Sequence, residues 1–319
     1  MLLLLLAAVP LTASAALGLA APWVGNRLPP STAVKVLATA ALTSALTTGF
    51  CLSVIAFNAL ARIPVIAALG KWSAAAVGLD DTPPPMGGVV LGLAVIGLML
   101  AALRRSVLTA TDLTQAVLTC RRLQDLSEGL VLVPDPSPGA FALPGMRGKI
   151  VITTGMLQAL TAPERRALIA HEQAHLSHHH QIYIQATELA AAANPLLFRL
   201  PGQVRAQAER WADEQAAQDV DDRMLTARAL AKAALARTTN PRSTTPQPAI
   251  ALPATDHHMA NRVLALTKPP PRPRPRLASA LLALVLTSVA SSILVAHTTE
   301  TKFEHAQQSY SHLYRPHDG

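Results

Sequence analysis

The sequence contains few charged residues and very few aromatic ones. Charged side chains make up 14% and aromatic side chains 3% of the 319 residues, whereas half of the residues are hydrophobic. This composition excludes an ordinary soluble domain of this size, because the hydrophobic share is too large. There are two cysteines, Cys51 and Cys120, and the first lies in a hydrophobic run. A disulfide framework is therefore excluded.

The hydrophobic residues are concentrated in four runs, at 2–24, 33–61, 87–103 and 277–296. Each run is close to the roughly 20 residues that a helix needs to cross a hydrocarbon core. The sequence therefore predicts a polytopic, mostly α-helical membrane protein with four transmembrane helices. The first run has an alternative interpretation as a secretory signal peptide. It lacks a positively charged start and is long for such a segment, which favours a membrane anchor.

Lysine and arginine residues near the span ends predict the orientation, because cytoplasmic loops retain them. Arginines follow the third run and precede the fourth: Arg104, Arg105, Arg121, Arg122, Arg272, Arg274 and Arg276. We therefore expect a multi-pass protein of the cell membrane whose central region faces the cytoplasm. The formal charge of +8 is not accompanied by a nucleic-acid-binding motif. The basic clusters are expected to contact the lipid bilayer and not to bind nucleic acid directly.

The chain divides into five parts at the hydrophobic runs. We expect a membrane region at 1–105, a cytoplasmic domain at 106–268, a spacer rich in proline and arginine at 269–276, the fourth transmembrane helix at 277–297, and a short extracytoplasmic tail at 298–319. The second part has the size of one compact domain. It is the part that can carry soluble chemistry.

The patterns within the cytoplasmic domain predict helices and a small β-hairpin or sheet. We expect a helix that continues the third span, two short strands, three further helices and a flexible linker. The first helix is predicted at 106–126 and the two strands at 129–133 and 149–153. The three further helices are predicted at 161–179, 182–193 and 203–218, and the linker at 238–254. The first of the three helices begins with Thr161-Ala-Pro-Glu164, which fits a capping box with proline in the first turn.

The most informative motif is His171-Glu172-Gln173-Ala174-His175, which falls on this capped helix. Residues four apart lie on one helical face, so both imidazoles can reach one zinc ion at about 2.0–2.1 Å. Glu172 lies beside the first histidine and can act as general base toward a zinc-bound water, whose pKa the metal lowers toward about 7. The motif predicts hydrolysis by metal-activated water. The alternative is a pair of histidines at the polar end of a helix near a membrane.

A catalytic zinc site needs a third protein ligand and an open position for water. Glu209 is the best candidate, because it lies on another predicted helix and has Asp213 one turn further along the same face. We expect Glu209 to bind the metal and Asp213 to support a ligand, for instance by accepting a histidine N–H. The alternative is a solvated helical face with ordinary charged pairs.

The other histidines of this domain are not expected to bind metal. His178, His179 and His180 are predicted in the last turn of the same helix, where they suit the helix dipole and the free carbonyl groups. His257 and His258 follow a proline-rich loop and have no expected catalytic role.

An exposed strand edge is a further hypothesis. The segment 141–145 and the strand at 149–153 precede the zinc helix, and an extended peptide can add to such an edge as a further strand. The alternative is ordinary hairpin packing.

Four motifs occur together: Phe141-Ala-Leu-Pro-Gly145, Ile152-Thr-Thr-Gly155, Leu168-Ile-Ala-His-Glu-Gln-Ala-His-Leu176 and Glu209-Arg-Trp-Ala-Asp213. Over roughly 85–265, the chain resembles the membrane metallopeptidases typified by the beta-lactam sensor-transducers BlaR and MecR. More distantly, it is similar to the HtpX and CAAX prenyl protease group. The resemblance implies a zincin-like domain with a gluzincin site, in which His171, His175 and Glu209 bind zinc, Glu172 is the base and Asp213 has a supporting role.

The resemblance also implies a cytoplasmic zinc metalloendopeptidase that takes part in removing a winged-helix repressor of the BlaI/MecI type. One feature departs from that pattern. Sensor-transducers carry a large extracellular penicillin-binding domain after the last span, whereas only residues 298–319 follow it here. We therefore do not expect this chain alone to sense beta-lactams.

Two other functions compete with regulatory proteolysis. The first is an HtpX-like protease for the quality control of membrane proteins. The second is a membrane scaffold or sensor that binds zinc without hydrolysis. Glu172 argues against the second, because a protein that only binds metal needs no base beside its first ligand.

Overall fold

The structure, a computed structural model, describes residues 2–77, 84–122, 126–127, 129–145, 148–239, 256–269 and 272–313. Most of these residues are helical, and the described part of the chain contains one three-stranded sheet. The predicted fold class, a mostly helical protein with four long apolar helices and a small sheet, is confirmed.

Four helices are long and apolar enough to cross a membrane. They are α1 (Leu2–Gly25), α2 (Pro30–Leu60), α5 (Pro85–Arg122) and α12 (Pro275–Leu313), and the short helices α3 (Pro64–Gly70) and α4 (Ala74–Val77) lie between them in sequence. All four predicted apolar helices are confirmed. The 38 residues of α5 extend over about 57 Å, well beyond a hydrocarbon core of about 30 Å. The helix predicted at 106–126 is therefore a continuation of the third span, although it ends at Arg122.

The sheet contains one strand more than predicted. Its strands are β1 (Leu130–Val133), β2 (Ala140–Leu143) and β3 (Lys149–Thr153), in the order β1-β3-β2. β1 runs parallel to β3, and β2 runs antiparallel to it at the edge. The two predicted strands are confirmed. β2 was interpreted as part of a loop because Gly139 and Pro144 flank it, and its pairing with β3 supplies hydrogen bonds that a local pattern does not reveal.

In the described residues, six α-helices and one 3-10 turn lie between the sheet and α12. They are α6 (Thr154–Ala159), α7 (Ala162–Ser177), α8 (His180–Ala193), the 3-10 turn Pro195–Leu197, α9 (Leu200–Asp219), α10 (Arg223–Thr239) and α11 (Asp256–Leu266). The three helices predicted here are confirmed as α7, α8 and α9, with ends that differ from the prediction by at most three residues. α6, α10 and α11 were not predicted. The flexible linker predicted at 238–254 lies outside the described residues from 240 onward.

The largest hydrophobic cluster joins the membrane helices to the helices that follow the sheet. Leu17 of α1 and Leu37 of α2 pack in one cluster with Ile184 of α8, Val204 of α9 and Leu281 of α12. Small side chains, mostly alanine, fill the spaces between them and allow the helices to approach closely. The helix α9 is thus held directly against the first two apolar helices.

The start of α7 is fixed by the predicted capping box. The Thr161 backbone N–H donates to the Glu164 carboxylate at 2.9 Å, and the reciprocal contact is also present. Glu164 is buried and pairs with Lys232 of α10 at 2.7 Å and with Arg228 at 3.2 Å. The hydrogen bond from Lys232, followed by that from Thr161, lowers the pKa of Glu164 to about 2.

We expect Glu164→Gln to destabilise the fold at neutral pH and to destabilise it progressively less as the pH falls toward 2. The pKa of Glu164 is about 2 in the folded protein and about 4.3 in an unfolded chain. The stabilisation by the carboxylate is therefore complete above pH 4.3 and is lost as the pH falls toward 2. Loss of the cap and the ion pair should cost about 1–2 kcal/mol at pH 7, a decrease of a few degrees in the unfolding midpoint.

Thermal unfolding in detergent at pH 7 and pH 3 measures this difference. Glu304→Gln is the matched control, since Glu304 is an exposed residue of α12 far from the capping box in sequence. A loss of equal size at both pH values would show that the charge of Glu164 is not what stabilises the helix start.

Candidate metal centre

Helices α7 and α9 bring three metal-binding side chains to one point. His171 and His175 lie one turn apart on α7, and their Nε2 atoms are 3.2 Å apart. Glu209 of α9 places Oε2 at 3.6 Å from Nε2 of His171 and Oε1 at 3.5 Å from Nε2 of His175. Ligand atoms of the three residues all lie within 4.8 Å of one another. The structure thus brings together the three side chains that the sequence suggested as ligands.

The geometry of these three side chains fits a zinc ion. Two imidazoles and one carboxylate are a known ligand set of catalytic zinc sites, which leave the fourth position open. Tetrahedral ligands at about 2.0–2.1 Å from the metal are about 3.3 Å from one another. The observed separations of 3.2, 3.5 and 3.6 Å are close to that value.

Asp213 lies beside Nδ1 of His171, the ring nitrogen that does not face His175 and Glu209. It lies one turn after Glu209 on α9, and its Oδ1 atom is 3.0 Å from Nδ1 of His171. Both side chains are buried. A carboxylate at Nδ1 favours a proton on that nitrogen and leaves Nε2 free to bind a metal. Asp213 therefore lies next to a histidine of the cluster, His171, as the sequence predicts.

Arg262 of α11 is a buried residue of the site that sequence reasoning missed. Its guanidinium lies 2.8 Å from Oε2 of Glu209, and it donates to both carboxylate oxygens of Asp213 at 2.8 and 2.6 Å. This fork fixes the orientation of two carboxylates that lie one helical turn apart. Arg262 is thus the link between Glu209 and Asp213.

A sequence signal for α11 does exist. Met259, Val263 and Leu266 recur at helical spacing, and they pack in one cluster with residues of α9 and α10. The segment follows the linker predicted at 238–254 and is only 11 residues long. An isolated arginine carries no motif, so its role becomes visible only when α11 packs against α9.

Burial and ion pairing compete at every ionisable group of the cluster. Burial raises the pKa values of Glu209 and Asp213, but Arg262 and the neighbouring histidines together outweigh burial and lower both pKa values below their usual range. Burial also opposes protonation of His171, yet Asp213 and Glu209 raise its pKa to about 9. Burial lowers the pKa of His175. The two carboxylates therefore remain ionised and are available to a cation.

The three consecutive histidines lie differently from the prediction. α7 ends at Ser177, His179 has a left-handed backbone with φ 51°, and His180 begins α8. Placing His180 in the last turn of α7 was wrong, because the left-handed residue turns the chain first. His180 is buried with Nδ1 at 2.9 Å from Nδ1 of His175. The pKa of His180 is lowered to about 2, mainly because the side chain is buried and also because His175 and His178 lie nearby.

A cleft of about 820 Å³ opens beside these residues. Glu172 lies in its wall next to the two histidines and is only 7% exposed. The edge strand β2 forms part of another wall through Phe141, and α5 contributes Leu113 and Val117. Pairing of a peptide with β2 stays a prediction. The side chains of His257 and His258 lie outside the described residues.

Four apolar helices and a His-His-Glu cluster with a neighbouring glutamate define the class of the protein as membrane-bound zinc metallopeptidase. The model of Peptidase family M48 matches residues 108–281, which is more than half of the chain, and the chain belongs to this family. Its members are zinc-dependent peptidases, so its substrates are proteins or peptides. No solved structure matches the chain.

We expect Asp213→Asn to weaken zinc binding about 10–100-fold, the usual effect of losing a partner of a metal-binding histidine. The amide keeps the volume of the carboxylate but withdraws its charge from Nδ1 of His171. Zinc affinity is measured by competition with a chelator of known affinity. Asp219→Asn, at the end of the same helix, is the control. Unchanged zinc affinity in Asp213→Asn would contradict a supporting role for Asp213.

Proposed function

We propose that this protein is a membrane-bound zinc metalloendopeptidase with a gluzincin site. His171, His175 and Glu209 hold the metal, Glu172 is the catalytic base, and Asp213 and Arg262 position the ligands. The observation that carries the proposal is the convergence of two imidazole nitrogens and one carboxylate at 3.2–3.6 Å, beside Glu172 in one cleft. A bound zinc ion supplies Lewis-acid polarisation of the substrate and increases the acidity of water.

Glu172, Asp213 and Arg262 have separate parts in this mechanism. Glu172 takes a proton from the attacking water and delivers it to the nitrogen of the leaving amine, so that the C–N bond breaks. Asp213 holds the proton of His171 on Nδ1 and so keeps Nε2 available to the metal. Arg262 keeps the carboxylates of Glu209 and Asp213 ionised and oriented.

The catalytic domain is proposed to comprise residues 106–268 and to face the cytoplasm. Support comes from the arginines that follow the apolar part of α5 and from those that precede the apolar part of α12, since cytoplasmic loops are rich in basic residues. The remaining parts are the membrane region 1–105, the spacer 269–276, the last span 277–297 and an extracytoplasmic tail 298–319.

Regulatory proteolysis is the leading biological role. The resemblance to the BlaR and MecR type supports a pathway that removes a winged-helix repressor of the BlaI/MecI type. An HtpX-like role in the quality control of membrane proteins is the second candidate. The position of the cleft favours this role. The helix α5 continues from an apolar span into the cleft wall at Leu113 and Val117, which places the cleft close to membrane-embedded substrates. A non-hydrolytic zinc scaffold or sensor is the third candidate.

A comparison of protein N-termini separates these roles. Membranes and cytosol are taken from cells that express either the wild type or Glu172→Ala, which leaves all three zinc ligands in place. A few new N-termini that depend on Glu172, above all within a winged-helix repressor, support regulatory proteolysis. Many fragments of membrane proteins support quality control instead. Identical N-termini under several envelope stresses, together with retained zinc, argue for the scaffold or sensor.

A further inference from the structure

The corner between α8 and α9 packs against the middle of the membrane helix α1, at Ser14 and Gly18. The corner comprises residues 194–199, and its side chain at Asn194 donates to the Ser14 hydroxyl at 3.0 Å. At Gly18, a Cβ atom would lie 2.0 Å from the carbonyl oxygen of Leu196. The corner therefore packs against the backbone of α1 at a position where only glycine fits.

The length of α1 measures the depth of this contact. α1 has 24 residues, and about 20 of them are needed to cross the hydrocarbon core. Its apolar run continues to Val24 and Arg27 is the first charged residue after it, so at most about four residues at the Gly25 end project from the membrane. Ser14 is then about 10–16 Å inside the boundary at the Gly25 end, and Gly18 is about 4–10 Å inside, at 1.5 Å per residue. The contacts of the corner with α1 thus lie at the depth of the lipid tails.

From the corner onward, α9 runs beside α1 toward its Gly25 end. A Cβ atom at Gly25 would meet the side chain of Gln203, and Gln207 donates to Asn26 at 3.4 Å. The contact therefore moves from Gly18 to Asn26 as the chain proceeds from Leu196 to Gln207. Glu209 follows within one turn, so the metal centre lies just outside the span of α1.

Trp23 and Arg27 mark the membrane boundary at this end of α1. Trp23 is 51% exposed, and the Arg27 guanidinium lies 4.1 Å from the centre of its ring. Tryptophan and arginine are favoured at the level of lipid headgroups. Arg274 and Arg276, at the start of α12, line the same surface depression as Trp23. The corner contacts Gly18 and Ser14, which are further from this boundary than Trp23.

The surface of the corner suits hydrocarbon. Leu196 is 39% exposed and Phe198 is 64% exposed, whereas Leu197 is buried against the helices. The guanidinium of Arg199 lies 5.2 Å from the Phe198 ring centre. The long arginine side chain can extend so that its charged group reaches the lipid headgroups.

The backbone amides of residues 194 and 196–198 are hydrogen-bonded within the protein. Non-helical backbone is tolerated at membrane depth only when its polar groups are satisfied within the protein. The amides of Asn194, Leu197 and Phe198 donate to carbonyl oxygens at 2.8–3.2 Å. The amide of Leu196 donates to the Asn194 side chain at 3.2 Å, and residue 195 is proline, which has no amide hydrogen.

We propose that the corner at residues 194–199 is inserted into the lipid tails of the leaflet on the peptidase side. Leu196 and Phe198 contact acyl chains, and the hydrogen bonds among Asn194, Ser14 and Thr48 join the corner to α1 and α2 below the surface. The insertion fixes the height of the metal centre relative to the membrane. It rests on the membrane spans and not on the catalytic roles proposed above.

Spin labels at single cysteines test this proposal in lipid nanodiscs. Three positions have nearly equal exposure in the protein: Phe198 at 64%, Leu93 in the α5 span at 63% and Met224 at the start of α10 at 61%. The variants Phe198→Cys, Leu93→Cys and Met224→Cys are made after Cys51 and Cys120, both buried, are replaced by alanine. Collision rates with oxygen and with a water-soluble nickel chelate are then compared.

The proposal predicts that Phe198→Cys behaves like Leu93→Cys, with frequent oxygen collisions and few nickel collisions. Behaviour like that of Met224→Cys would overturn it. Leu196→Cys is the second position, in case the label at Phe198 prevents folding, and a cooperative thermal unfolding transition identifies the folded variants. A Leu196 label that is freely accessible to the nickel chelate in a folded variant would also overturn the proposal.

Discussion

Replacing Glu172 with glutamine should lower the rate of peptide-bond hydrolysis by about 10²–10⁴-fold, the usual contribution of a general acid–base residue. The bound zinc should remain at one ion per chain, because Glu172 is not among the three residues whose ligand atoms converge. Glutamine has nearly the same volume and stays in the wall of the cleft. It cannot accept a proton from water, and this loss alone separates the variant from the wild type.

Hydrolysis of an unfolded protein substrate and metal analysis of the same preparation measure both parts of this result. Glu304→Gln is the matched control for the chemical change, since Glu304 is exposed on α12, far from the cleft residues in sequence. Full activity in Glu172→Gln would exclude Glu172 as the base. Loss of zinc together with activity would instead make Glu172 part of the metal-binding set.

Replacing Glu209 with glutamine should reduce zinc affinity by more than about 100-fold, beyond the effect expected for a residue that only supports a ligand. The change removes the charge of the third proposed ligand and also a partner of Arg262, which lies 2.8 Å from Oε2. The buried Arg262 would then keep only Asp213 as an ion-pair partner, and a buried charge with less compensation is destabilising. We therefore expect a lower thermal stability in addition to the loss of zinc and of activity.

The comparison with Asp213→Asn separates a ligand from a supporting residue. Glu209→Gln should have the larger effect on zinc affinity, and added zinc should restore activity more readily in Asp213→Asn. Glu214→Gln is the control on the same helix, since Glu214 pairs with Arg223 and lies outside the cluster. Equal zinc affinity in Glu209→Gln and the wild type would exclude Glu209 as a ligand.

Local patterns were sufficient to predict the apolar helices and the frame of the metal centre. Long hydrophobic runs determine membrane helices almost alone, because the backbone must satisfy its own hydrogen bonds in lipid. The His171 and His175 pair depends only on helical spacing, and the helix is marked by its capping box. Glu209 and Asp213 were found for the same reason, since they lie one turn apart on one predicted helix.

Features that depend on tertiary packing were not visible in the sequence. The buried Arg262 joins Glu209 and Asp213 only because α11 packs against α9. His180 contacts His175 because His179 adopts a left-handed conformation, which no local rule required of a histidine. The strand β2 exists because β3 supplies its pairing partner. In each case the deciding contact comes from a segment that the local pattern does not include.

The most direct test of the account is a zinc titration of the metal-stripped protein in detergent, with hydrolysis followed at each step. The account predicts no hydrolysis without metal, a rise in rate up to one zinc ion per chain, and a plateau beyond it. Glu172→Gln should bind the same single equivalent and remain inactive. Hydrolysis that persists after the metal is removed, or a wild-type protein that binds no zinc, would contradict the assignment of His171, His175 and Glu209 as a catalytic zinc centre.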